Sequence, residues 1–98
     1  MGMEKGGWVY IVASKTLVLY TGITSTLGRR AYEHREHLIE GFTKRYNCDR
    51  LIYMERYSTI EEAIAREKQL KKWRREKKLW LIRQMNPDFR DLFDDINA

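Results

Sequence analysis

Trp8-Val9-Tyr10-Ile11-Val12 and Val18-Leu19-Tyr20-Thr21-Gly22 are two short apolar runs, each built around a tyrosine. The Ser14-Lys15-Thr16 connection between them is short enough for a hairpin. β-Branched and aromatic residues dominate 8–14 and 17–21, which favours strands at both places. An antiparallel pair therefore opens the fold. A helical stretch bearing Arg30 and His34 follows at once, and a carboxylate, Glu67, comes later. Phenol, guanidinium, imidazole and carboxylate are the groups a protein needs to position water, hold a metal and stabilise a pentacovalent phosphate. Their order points to phosphodiester cleavage.

Working outward, Thr24 or Ser25 is placed to cap a helix running through Leu27, Ala31 and Leu38 to about Glu40, with Gly41 as its stop. Residues 41–50 read as a polar loop containing Phe42, Lys44, Arg45 and Tyr46, and 51–57 as a third strand. Ser58 with Glu61, or Thr59 with Glu62, forms a capping box for a long helix reaching Trp73 or beyond. A second helical stretch, 76–85, ends before Pro87, because the residue preceding proline resists the α region. In the acidic tail, Phe89, Leu92 and Phe93 are spaced to dock one turn onto the body. The sum is an α+β domain with a three-stranded antiparallel sheet flanked by helices. With 98 residues the chain supports one domain, 1–98, with its core at about 8–93.

Cys48 is the only cysteine, so no intramolecular disulfide or cysteine-based zinc site is available, and a half-buried thiol in a reducing compartment is expected. The polar stretch 1–7 does not resemble a signal peptide and no apolar run is long enough to span a membrane, so a cytoplasmic location is expected. Nineteen Lys and Arg against fourteen Asp and Glu give a net charge of +5. That excess is clustered: residues 65–78 hold eight basic side chains, more than a solvated helix face needs. Lys68, Lys71, Lys72, Arg74 and Arg75 are candidate phosphate contacts, with Lys44 and Arg45 as a second group. Trp73 is placed either to stack a base or to finish the core; it falls off the apolar stripe of its helix, which slightly favours the exposed ring.

On that helix Ile60, Ala63, Ile64 and Leu70 form one apolar stripe, and Glu67 sits near its middle. A carboxylate there needs a metal ion, a cation or a water-filled cleft; otherwise its stem packs while its head reaches solvent or a neighbouring lysine. Arg30 and His34 lie one turn apart beside the stripe of Leu27, Ala31 and Leu38 and face inward. Tyr32, Tyr53 and Tyr57 read as packing residues. Tyr10 and Tyr20, on adjacent strands, are placed for their hydroxyls to converge, and Gly22 lets a backbone or a phosphate come close.

These residues resemble the GIY-YIG endonuclease superfamily, in particular its small stand-alone bacterial branch. Val9-Tyr10-Ile11 stands where the GIY element lies and Tyr20-Thr21-Gly22 where the YIG element lies. Residues 27–34, Leu-Gly-Arg-Arg-Ala-Tyr-Glu-His, resemble the catalytic helix, residues 62–71 the segment holding the metal-binding Glu, and Asn86-Pro87 a C-terminal element. Val9 replaces the Gly of the family name. Ile23 follows Gly22 where excision-repair members have Lys, which argues against that repair role.

The resemblance implies that Glu67 holds one divalent metal, Mg²⁺ by its chemistry, on a scissile phosphate, while Tyr10 is the general base toward water and Tyr20 positions or assists it. It also implies that Arg30 stabilises phosphate charge, that His34 orients or relays protons, and that Asn86 is a further ligand or orienter. The partner expected is nucleic acid, DNA favoured, with any structure preference set by DNA shape or by a protein partner. Two other classes stay open: a nucleic-acid-binding module with little or no cleavage, and an adaptor whose basic helix meets an acidic protein.

Overall fold

The computed structural model describes residues 6–96. Its elements run β1 (Gly7–Ala13), β2 (Leu19–Thr24), α1 (Leu27–Arg35), α2 (Phe42–Arg45), β3 (Arg50–Tyr57), α3 (Ile60–Lys71), α4 (Arg75–Met85) and α5 (Phe93–Ile96). The strands form one antiparallel sheet in the order β2-β1-β3. This is the expected α+β architecture.

β1 is central and covered on both faces, which is why it is apolar at nearly every position rather than alternating. Tyr10 and Val12 face one layer with Leu27 and Ala31 of α1, Cys48 and Leu92. Ile11 and Ala13 face the other, against Ile82 of α4, while Val9 meets Ala63 and Leu70 of α3. Pairing slips by one residue between Ile11 and Val12, so Tyr53 opposes Ile11 while Leu51 opposes Val12. The extra residue, Ile52, turns Leu51 to the α1 side and itself to the α4 side.

The first helix is shorter than its apolar spacing predicts. It ends at Arg35, because His37 takes a left-handed conformation (φ 58°) and Leu38 N–H reaches back to Glu33 O at 2.8 Å, closing a Schellman turn. His37 Nε2 lies 2.8 Å from Asp49 Oδ2, which fixes that turn, and Leu38 is left exposed. Gly41 is consequently not the stop of α1 but precedes α2, a single turn inside the expected polar loop. Of the two possible capping boxes, Thr59 with Glu62 forms, and α3 stops at Lys71, short of Trp73. α4 ends before Pro87 as expected.

The tail wraps the free edge of β3. Phe89 packs on the α4 side and Leu92, Phe93 and Ile96 on the α1 side, while Leu92 N–H donates to Leu51 O at 2.7 Å. Cys48 is fully rather than half buried, its thiol donating to Val18 O at 3.4 Å, and burial pushes its pKa up. Tyr32 is 51 % exposed and does not serve as packing, because it lies on the outer face of α1, opposite the buried Leu27, Ala31 and His34. Among the described residues no helix is long and apolar enough to cross a membrane.

α3 is held to the sheet by an ion pair as well as by its apolar face. Arg66 donates to both oxygens of Glu55, at 2.9 and 3.0 Å, and the hydroxyls of Tyr53 and Tyr57 donate to the same carboxylate. Burial alone raises the pKa of Glu55, but the donors from Arg66, Tyr53 and Tyr57 outweigh it and leave the carboxyl below its usual range. Replacing Arg66 by Ala leaves this largely buried carboxylate without its counter-charge. We expect a loss of about 2 kcal/mol in urea denaturation, and a loss within error of an ordinary surface substitution would refute this role.

Candidate functional site

The site begins with a register. Antiparallel pairing sets Tyr10 opposite Gly22, and the Tyr10 ring lies across it: a Cβ placed on Gly22 would stand 2.5 Å from Tyr10 Oη and 2.6 Å from Cζ. Only a residue without a side chain leaves that path open. The ring is 1 % exposed, and its hydroxyl meets His34 Nε2 at 2.9 Å. His34 is itself buried, and its Nδ1 lies 3.2 Å from Thr43 Oγ1 on α2. Thr43, His34 and Tyr10 thus form one hydrogen-bonded chain that can run in either direction, depending on the imidazole tautomer.

Charge around this chain is arranged asymmetrically. Burial, then Tyr20 and less strongly Glu67, push the Tyr10 phenol up to about 12, while Arg30 works in the opposite sense by charge and by hydrogen bonding. His34 is held down to about 4, first by burial and then by Arg30, with Glu33 opposing. Both groups are therefore neutral at neutral pH. Tyr20 stands beside them, its ring centroid 6.0 Å from that of His34. Arg30 Nε lies 3.1 Å from Glu33 Oε1, yet makes no aligned hydrogen bond to any described residue.

Glu67 reaches the site from α3. Its side chain is 16 % exposed, and its Oε2 lies 3.0 Å from Lys71 Nζ. Of the outcomes open for a carboxylate on an apolar stripe, the structure realises a neighbouring cation. Tyr10, Tyr20, Arg30, His34 and Glu67, spread over 58 positions of the chain (67 − 10 + 1), converge on one phenol.

Other sequence candidates fall elsewhere. Asn86 is buried with its carboxamide spent on backbone: Nδ2 donates to Ile52 O and Arg90 O at 3.0 and 2.8 Å, and Oδ1 accepts from Arg90 N at 3.1 Å. It ties the tail to β3, and none of these partners belongs to the cleft. Trp73 is not the free ring its helical phase suggests. Because α3 ends before it, it packs with the Val9, Ala63 and Leu70 cluster, and Arg66 and Lys77 cover it at 5.2 and 4.1 Å. Lys68, Lys71, Lys72, Arg74 and Arg75 are solvent-facing, and Lys44 pairs with Glu40 at 2.9 Å on the surface. Arg45 lies over Tyr46 at 5.5 Å.

Three further residues border the cleft, and neither strand pattern nor helical phase marks them out. Thr43 reaches His34 only because the turn after α1 folds α2 back. Phe42, 46 % exposed, stacks on Tyr20 at 6.1 Å and meets Tyr46 at 4.7 Å, a row of rings leading out of the cleft. Lys78 joins Lys71, Tyr20 and Phe42 around a hollow of about 300 Å³.

Residues 6–79 match the family described as the GIY-YIG catalytic domain. The chain belongs to the GIY-YIG superfamily. Both GIY-YIG triplets, the α1 segment and Glu67 lie inside the matched stretch, whereas Asn86 lies outside it. The chain is 36 % identical over 77 residues to a UPF0213 protein of Staphylococcus aureus, covering 79 % of this chain and 94 % of that relative. It is also 36 % identical over 75 residues to a UPF0213 protein of Staphylococcus saprophyticus, covering 76 % and 92 %. These relatives are small proteins made almost wholly of the GIY-YIG domain. Neither name states an activity, and no solved structure gives a significant match.

Two measurements test this geometry. Gly22→Ala must expel or tilt the Tyr10 ring, so it should cost about 1–3 kcal/mol and break the Tyr10–His34 bond, visible as a rise of the His34 pKa toward 6.5 in an NMR titration. An unchanged His34 titration would contradict the close approach. His34 also links stability to pH. Its folded pKa of about 4 lies below the ordinary 6.5, so its contribution is present above pH 6.5 and is lost as pH falls toward 4. The loss is on the order of 3 kcal/mol. A His34→Gln protein should show a flatter stability profile across that window, and parallel profiles would exclude the effect.

Proposed function

We propose that this protein is a divalent-metal-dependent endonuclease that hydrolyses phosphodiester bonds of DNA in the cytoplasm. One observation carries the reading: a buried tyrosine is hydrogen-bonded to a neutral histidine while feeling an arginine and a carboxylate from two other elements. A packing tyrosine needs none of these neighbours.

Glu67 suits a hard divalent ion as a single carboxylate anchor. Among the described residues no group of three or more His, Cys, Asp or Glu could hold a metal, so water and substrate phosphate would complete its shell. Mg²⁺ accepts this arrangement. When bound, the ion supplies positive charge for the phosphate and the departing oxygen.

The chain's own residues do the rest. Tyr10 Oη takes a proton from the attacking water and passes its own proton to His34 Nε2, while Nδ1–H is held by Thr43 Oγ1. Water oxygen bonds to phosphorus, the opposite P–O bond breaks, the departing oxygen takes a proton from solvent, and His34 returns its proton through Tyr10 to solvent so that both groups are neutral again. Burial opposes the transient imidazolium, and the incoming phosphate charge offsets this. Arg30 faces the phosphate with a guanidinium whose Nε has no aligned partner, and Tyr20 closes the side of the cleft.

DNA is favoured by the basic surface of α3 and α4 and by the exposed Phe42 and Tyr46 rings, which suit unpaired bases beside the cut. A panel of branched, nicked and single-stranded DNA, with and without Mg²⁺, tests the reading. Tyr10→Phe and Glu67→Gln should each lose at least about 100-fold in cleavage, and cleavage should fall steeply between two salt concentrations. Salt-sensitive binding without cleavage would select the binding module, and no binding at low salt would select the adaptor.

A further inference from the structure

The Lys71 ammonium has two places to be. In the structure it sits 3.0 Å from Glu67 Oε2, and the same ammonium lies 5.9 Å from the centre of the Tyr20 ring. The same ring helps line a hollow of about 300 Å³ that Lys71 shares with Lys78 and Phe42. Lys78, on α4, is half-buried, and no described carboxylate pairs with it. Burial, and after it the charge of Lys71, lower its pKa.

Lys71 is half exposed, so its ammonium is free to leave Glu67. With nothing bound, Lys71 neutralises Glu67 while lying near enough to Lys78 for their charges to oppose each other. If a divalent ion takes Glu67, the ammonium is repelled from it and turns either to solvent or into the hollow it shares with Lys78. The move into the hollow is favourable only if an anion lies between the two lysines. We propose that Lys71 occupies the metal position on Glu67 in the free protein and, once an ion displaces it, joins Lys78 in clamping a backbone phosphate of the DNA next to the scissile one. This inference rests on Glu67 being the metal site. Metal and substrate then bind with positive coupling, so the ion is held weakly until DNA arrives.

The test reads binding rather than turnover. Mg²⁺ is titrated into the DNA-free protein while the backbone amide of Glu67 is followed by NMR. Lys71→Met should bind Mg²⁺ at least about fivefold more tightly than wild type. Lys68→Met, which removes an exposed charge from the same helix, should change affinity far less. Equal gains in the two variants would mean a general field effect and would overturn the placeholder role, as would no gain in Lys71→Met. Glu67→Gln separates the underlying assumption: if it still binds Mg²⁺ like wild type, Glu67 is not the metal site and the reading beneath this proposal fails instead. For the clamp, DNA binding is measured by anisotropy in a Tyr10→Phe background, in Mg²⁺ and in EDTA. Lys78→Met should weaken binding severalfold more in Mg²⁺ than in EDTA, and equal losses in both would refute a metal-assembled clamp.

Discussion

The site depends on one close approach, the Tyr10 ring passing over Gly22. Strand pairing fixes which residues oppose, and the missing side chain at 22 allows a buried phenol to cross its neighbour instead of standing above its own strand. From there its hydroxyl comes within hydrogen-bond distance of His34, one bond from Thr43. A methyl group at position 22 would occupy the space that brings these groups together. The glycine is required here by room rather than by backbone dihedral, since its φ is not positive.

Burial determines what the assembled groups can do. The phenol and the imidazole are both kept neutral, one by a raised and the other by a lowered pKa. Two neutral, hydrogen-bonded groups avoid the large cost of an isolated charge in the interior. Charge is confined to the rim. There Arg30 and Glu67 approach from α1 and α3, and Lys71 balances Glu67.

The sheet makes the meeting of these elements possible. α1 lies on one face and α3 on the other, so a carboxylate from α3 reaches Tyr10 only because β2 is an edge strand and the phenol extends toward it. The Glu55–Arg66 pair, satisfied by two tyrosine hydroxyls, fixes α3 against β3 one residue before Glu67. A structural network and a candidate catalytic carboxylate thus share a helix. Rigidity at the first positions the second.

Much of this was legible in the chain. Apolar runs with tyrosines gave the hairpin, the Thr59–Glu62 pattern gave the start of α3, and a glutamate on an apolar stripe flagged Glu67, because strand patterning, capping and helical phase are local properties. The end of α1, the packing of Trp73, the backbone role of Asn86 and the recruitment of Thr43 were not legible. Each turns on contacts between segments distant in sequence: His37 with Asp49, Trp73 with the β1 cluster, Asn86 with Ile52. The sequence by itself determined which chemical groups were present and which secondary structure carried them. Only the tertiary structure decided which ones touch, because that depends on a strand register and a helix-ending turn whose partners lie far along the chain.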